Sequence, residues 1–340
     1  QRGTSTTGLQ NSGGVFTIDR FSHRRGGTWS NAQFKHEQVD ATVTGETTLN
    51  KALKVTCTTA EGSVPASGEA VAIGTYLEKG DTHRLGVGTS AALKSTFSFY
   101  ARASIATTYG LEIQGYQHST VQAIRIPFTI SSANTWERIS VSIPADTAAL
   151  DSDADNTQGW LTFIVLDGIA STDTASTWAA LGSSSVSLPN GVSTTTFSNT
   201  LNATFEVTGV QLEAGDVATP FEHRSFGDEL ARCQRYFYPV CPLSNSGNPI
   251  GMSYYYVSST ILGIHQFPVT MRAAPTITSS DSSSHFSTRN SDTMNYLLAN
   301  RVTPYLLEYY NNSQASGTAL SSTVSISNSN DAFIYASAEL

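Results

Sequence analysis

Wherever this chain shows a hydrophobic rhythm in its first two-thirds, the rhythm has period two. Residues 96–104 place Phe97, Phe99, Ala101 and Ala103 on one face of an extended strand. Residues 136–143 do the same with Ile139, Val141 and Ile143 and stop at Pro144. In 51–57 Leu53 falls between polar neighbours, although Ala52 and Val55 blur the register. Residues 159–166 form a near-continuous apolar run closed by Asp167-Gly168, as in a central strand. Residues 203–213 alternate through Phe205, Val207 and Gly209, then continue on the other parity at Val210 and Leu212, which predicts a bulge near Gly209. Strands at this spacing, with no long helix among them, predict a sandwich of two antiparallel sheets.

Composition narrows the classes further. Ser and Thr supply 88 of the 340 residues and charged residues only 14%, well under the usual share of roughly a quarter. Thirty-three aromatic residues can build cores, which excludes a disordered chain, and five Lys are too few for a helical bundle. No apolar run approaches the length of a membrane-spanning helix, and residues 1–14 carry no apolar stretch of the signal-peptide kind. A net charge of −8 repels phosphate backbones, so nucleic acid is not an expected partner. Cys57, Cys233 and Cys241 are an odd set with no disulfide framework. Free thiols in a reducing compartment are expected, with a Cys233–Cys241 bridge as the alternative on spacing.

The chain changes character near residue 227. All four Trp and all five Lys precede it, ten of the 14 Tyr follow it, and residues 237–340 carry only eight charges. Two cores follow from this: an N-terminal sandwich over 1–224 and a smaller β domain over 239–340, joined by a helix within 225–238. Ser225 and Asp228 form a capping box, Asp228 and Glu229 suit the helix start, and Arg232 and Arg235 suit its end. Phe226, Leu230, Cys233 and Phe237 fall on one face of a helix expected over 226–237 and stopped by Pro239. About three turns are not stable alone, so this stripe must be covered. Beyond it, strands are expected at 251–257, 260–267, 275–279, 305–310, 322–326 and 332–338.

Residues 208–237, TGVQLEAGDVATPFEHRSFGDELARCQRYF, resemble a block shared by bacteriophage tail-fibre and related virion proteins. Residues 16–21, 96–102 and 135–144 are similar to strands of galactose-binding-like jelly rolls, the fold of many carbohydrate-binding modules. Residues 267–277 and 333–340 resemble the small domain that follows the block. The resemblance implies an all-β virion protein with an N-terminal jelly-roll sandwich, assembled in the host cytoplasm as a homotrimer alongside other virion proteins.

Candidate sites come with competing readings. Asp151, Asp153 and Asp155 have the spacing of a calcium loop, but Asn156 and Thr162 stand where that loop needs Gly and Glu. A solvated acidic loop is the commoner outcome, and a structural calcium the alternative; no other cofactor is implied. His23, Arg24 and Arg25 follow a first strand at 15–21, and His23, Arg25 and nearby Trp29 could line the mouth of the sandwich for a glycan. Tyr254 and Tyr256 share one strand face and could stack sugars, with Tyr255 on the other. His223 and Arg224 are expected to clamp the junction after residue 220, and Glu137 and Arg138 to form an edge ion pair. Glu112, Glu137 and Glu206 fall on strands, but nothing in the sequence brings two carboxylates together as a glycosidase requires. No nucleophile elbow, zinc-protease motif, phosphate loop or Cys-x-x-Cys is present, so an enzyme is not expected. A glycan-binding tail-fibre component is the leading reading. A capsid decoration protein is the second, and the binding region of a glycan-degrading enzyme the third.

Overall fold

The computed structural model describes residues 4–10, 14–18, 20–66, 68–150, 158–181, 186–241, 247–280, 285–288, 293–294, 296–312, 321–327 and 331–339. The protein is almost entirely β. It divides into two compact units, Gln1–His223 and Arg224–Leu340.

The first unit holds β1 (Ser5–Leu9), β2 (Val15–Ile18), β3 (Phe21–Gly26), β4 (Gln33–Asp40), β5 (Lys51–Thr59), β6 (Ala70–Glu78), a one-turn helix α1 (Lys79–His83), β7 (Ser95–Ala103), β8 (Thr108–Gly115), β9 (Gln122–Thr129), β10 (Glu137–Ile143), β11 (Gln158–Gly168), β12 (Ala179–Ala180) and β13 (Thr204–Ala214). Two antiparallel sheets form, in the orders β1–β4–β5–β13–β7–β10 and β12–β9–β8–β11–β6–β3–β2. The alternating strands turn their apolar parity inward. Phe97 and Phe99 of β7 lie beside Val141 and Ile139 of β10 in register, and Phe99 meets Phe128 of the opposite sheet edge-on at 5.3 Å. Burying each such ring contributes roughly 1.5–3 kcal/mol. β11 is apolar on both sides because both are covered. Trp160, Ile164 and Leu166 face the sandwich core, while Leu161, Phe163 and Val165 pack under Val186 and Leu188. The parity switch in β13 is a bulge: its register against β7 shifts between Thr208 and Gln211. Gly209 sits there at φ +59°, and a Cβ would lie 2.8 Å from Leu49, so this position requires glycine.

The second unit opens with α2 (Phe226–Gln234) and continues through β14 (Phe237–Cys241), β15 (Pro249–Val257), β16 (Thr260–Gln266), β17 (Thr276–Ser279), β18 (Phe286–Thr288), β19 (Thr293–Met294), β20 (Leu298–Val302), β21 (Leu306–Asn311), β22 (Ser322–Ser327) and β23 (Ile334–Ser337). A three-stranded sheet, β14–β23–β17, packs against a seven-stranded one, β19–β18–β22–β15–β16–β21–β20. Val240, Ile334 and Ala336 from the first sheet meet Tyr255, Ile261, Leu307 and Tyr309 from the second.

The helix differs from expectation at its C-terminal end. Its start is capped as read, the Ser225 hydroxyl accepting from the Asp228 N–H at 3.2 Å. It closes at Gln234 because Tyr236 is drawn into the fold, where its carbonyl accepts from the Ala338 N–H at 2.8 Å. Phe237 then pairs with Ser337 as the first residue of β14, so it leaves the predicted helical stripe. Pro239 does not stop a helix; it lies within β14, an edge strand where a missing N–H is tolerated. All three cysteines are free thiols. Burial pushes the Cys57 thiol up to about 11.

Candidate functional site

β3 decides where the site lies. Residues 23–25 are not a loop at the sandwich mouth; they belong to a strand paired with β6, Arg24 opposite Ala72. Alternation sends His23 and Arg25 toward the sandwich interior and Ser22 and Arg24 to the outer face of the seven-stranded sheet. His23 is buried, its ring 5.7 Å from Phe34. Its Nδ1 lies 3.1 Å from Nε2 of His36 on β4, so the pair bonds one sheet to the other. Burial, reinforced by the charges of Arg25 and Arg24, lowers His23 to about 4. Burial and then His23 hold His36 well below the usual histidine range. Trp29 is 1% exposed and meets Phe34 edge-on at 6.1 Å. His23 and Trp29 are therefore core residues and offer no surface to a sugar. Arg25, half-buried on the same inward parity, has a buried Nε with no partner among the described residues.

The outward parity carries the chemistry. Gly74 leaves a hole in β6: a Cβ there would lie 2.6 Å from Cγ of Arg24 and 3.3 Å from Phe163. The Arg24 side chain lies across this gap. Its Nε donates to the Ser22 hydroxyl at 2.8 Å, and its guanidinium sits 4.8 Å from the centre of the Tyr76 ring. Arg20 donates to the Tyr76 carbonyl at 2.8 Å. Two strands away, Tyr116 donates to Oε1 of Gln114 at 2.9 Å, and Gln114 donates to Oε1 of Glu112 at 2.6 Å. Tyr76 and Tyr116 both pack against the outer cluster of Leu161, Phe163 and Val165, and burial raises the Tyr116 phenol, with Tyr76 and Glu112 pushing the same way and Arg24 pulling against them. Arg24, Tyr76 and Tyr116 are half-buried and form a shelf of two rings and one cation.

Beneath the adjoining segment, Glu112 is fully buried. Arg125 faces it at 3.2 Å, and the Ser187 N–H donates to it at 2.8 Å. Arg125 also bonds Asp173 and, at 3.2 Å, the Ser171 hydroxyl. Burial drives the Glu112 carboxyl up, while Arg125, Gln114 and Ser187 draw it down. This network fixes Gln114 and, through it, the Tyr116 hydroxyl.

The other strand carboxylates are committed elsewhere. Glu137 accepts from the N–H groups of Ser131 and Ser132 rather than pairing with Arg138, which bonds the Thr219 carbonyl. Glu206 pairs with Arg102 at 2.6 Å. His223 bonds Thr48 at 2.7 Å, and Arg224 lies 3.5 Å from Glu229, five residues along its own chain. Asp151, Asp153 and Asp155 lie outside the described residues. Among the described residues no group of three or more His, Cys, Asp or Glu could hold a metal ion.

In the second unit Tyr254 and Tyr256 are 40% and 57% exposed, and Tyr255 is buried, as alternation requires. Their neighbours are apolar. Met252 pairs with Ile264 and Tyr254 with Leu262, which in turn pairs with Tyr310. Met252, Ile264 and Leu298 are exposed, so this sheet face is an apolar surface with tyrosines in it. On α2, Phe226 is 82% exposed and Leu230 is exposed, while Cys233 is half-buried. Phe237, on β14, meets Tyr335 at 5.4 Å.

No family model and no curated protein matches the chain. Among solved structures it is similar to the enzymatically active domain of tailspike protein 4 of bacteriophage CBA120, at TM-score 0.31 and 11% identity over 62% of this chain and 21% of that one. A putative sugar-binding protein from Bacteroides thetaiotaomicron matches at TM-score 0.32 and 10% identity, over 62% of this chain and 96% of that one. The N-terminal CBM22 tandem domain of Xyn10C from Paenibacillus barcinonensis matches at TM-score 0.31 and 9% identity, over 99% of both chains. The chain spans about a fifth of the tailspike's length. Similarity at this level decides neither fold nor function.

Proposed function

We propose that this protein is a carbohydrate-binding structural component of a bacteriophage virion, a tail-fibre part that presents its first unit to a host surface glycan. The observation that carries the reading is the Arg24–Tyr76–Tyr116 shelf on the outer face of the first unit's seven-stranded sheet. A pyranose ring has an apolar C–H face and a rim of hydroxyls. Tyrosine rings match the first, and hydroxyl, amide and guanidinium groups match the second. The block at 208–237 supplies the virion part of the reading. Assembly as a homotrimer fits the exposed Phe226 and Leu230 and the uncovered apolar face of β15, β16 and β20. The role is binding without catalysis, since Glu112, Glu137 and Glu206 each hold separate local partners.

Retention of the full chain on host cells, and its competition with phage adsorption, tests the reading. Wild type is expected to bind and compete, and Tyr76→Ala combined with Tyr116→Ala to lose both. Binding to empty capsids with none to cells would favour the decoration role. No retention on cells or on their purified polysaccharide overturns the glycan reading.

A further inference from the structure

Among the described residues no carboxylate pairs with Arg24. Its Nε hydrogen bond goes to a neutral hydroxyl and its guanidinium rests on a neutral ring. Among the described residues it makes no ion pair, whereas Arg102 and Arg125 in the same unit pair with Glu206 and Glu112. Glu112, the carboxylate that Tyr116 senses, is already matched by Arg125.

We propose that the shelf takes a carboxylate-bearing sugar unit, a uronic acid within an acidic polysaccharide, with Arg24 receiving the carboxylate. The inference rests on reading the shelf as a glycan site and names the class of sugar. A planar guanidinium and a planar carboxylate join through two parallel N–H···O bonds, each roughly twice as strong as a neutral one. Arg24 is suited to this because the gap at Gly74 beds its stem and Ser22 holds Nε, so little side-chain freedom is lost on binding. The Tyr76 hydroxyl can donate to the ring oxygen or a hydroxyl of the same sugar, while the Tyr116 ring covers its apolar face. A neutral hexose would use the Tyr116 ring and leave the cation with hydroxyls alone.

The test is calorimetric titration of the full chain with oligomers of galacturonate, glucuronate and mannuronate, each beside its methyl ester, and with neutral and phosphorylated oligosaccharides. Esterification removes the charge and keeps the sugar and linkage. The expected result is at least one free acid bound about tenfold or more tightly than its ester, the worth of one charge-assisted contact. That preference should shrink between 0.15 and 0.5 M salt, as screening requires. Arg24→Ala should bring the ratio of acid to ester toward one, and Arg24→Lys should restore it in part. Lys51→Ala, an equal change in net charge on an exposed side chain of the other sheet, should leave the ratio as it is. Tryptophan fluorescence establishes that each variant is folded. Equal binding of acid and ester, or binding of neutral or phosphorylated saccharides alone, overturns the uronate inference and leaves the glycan site standing. Binding of no saccharide overturns both.

Discussion

Lowering the pH from 7 to 5 should destabilise the first unit through the His23–His36 pair. Both imidazoles are buried between the sheets, one donating to the other, with Phe34 alongside and Arg24 and Arg25 close by on β3. His23 titrates near 6.5 when unfolded and about 4 when folded. Between those values the unfolded chain holds the extra proton, so stability is full above about pH 6.5 and falls as the medium acidifies. A shift of this size corresponds to about 3 kcal/mol over the whole window, and about 2 kcal/mol of it is lost by pH 5. His36 shifts in the same direction and adds to the loss. Two other groups must be separated from the pair. Burial lowers His118, but the hydrogen bond and charge of Asp146 raise it more, so its stabilisation grows as the pH falls from 7 to below 6.5 and opposes the loss. Glu112, raised by burial, takes up a proton more readily when folded and opposes the loss. A variant lacking both histidines, His23→Gln with His36→Gln, keeps these two groups and the chance of one hydrogen bond. The assay is urea unfolding at pH 7 and 5 read by tryptophan fluorescence, which reports the first unit alone because all four Trp lie in it. The wild type should lose about 2 kcal/mol more than the variant on acidification. An equal loss in both proteins would refute the assignment.

Two further outcomes are expected. Arg125→Met strands the Glu112 carboxylate in the sheet face and should cost about 3–5 kcal/mol in the same assay at pH 7, with Glu112→Gln added in the same chain recovering much of it; a loss below about 1 kcal/mol would show that the pair is not the anchor of the network. By light scattering the wild type should exceed the single-chain mass of 36.3 kDa, and Leu230→Asp or Ile264→Lys should lower the mass, since each sets a charge on an uncovered apolar surface; a wild type at the single-chain mass removes the trimer, and an unaltered mass in either variant removes that surface from the contact.

Most of the strand positions were legible because alternation is a local property. The windows at 96–104 and 136–143 became β7 and β10, and the parity switch at Gly209 became a bulge. The site was less legible, and one residue of parity explains why. Read as a loop, residues 23–25 offered His23 and Arg25 to solvent; as a strand they bury His23 and turn Arg24 outward. The available signal was Gly74, a glycine inside the apolar stretch Ala70–Ile73 and Tyr76, where a strand interior usually avoids it unless another chain segment lies close. Trp29 misled because a large ring beside two arginines resembles a sugar platform, whereas its destination was set by Phe34, five residues on and invisible to local pattern. Phe237 satisfied helical spacing, yet pairing with Ser337 a hundred residues away outweighed it.

The long connection from β11 to β13 contains only β12 and one 3-10 turn at Phe197–Asn199 as regular structure among its described residues. Its closing part is gathered onto one buried side chain. The Asp167 carboxylate accepts from the N–H groups of Gly168, Thr195 and Ser198 and from the hydroxyls of Thr194 and Ser198. Five donors on four residues converge on this one side chain, so its removal would leave all five without that acceptor. To a digestive protease the stretch therefore presents little loose backbone, despite a length that ordinarily invites cutting. Resistance to cleavage across residues 194–198 rests on one fully buried side chain, Asp167.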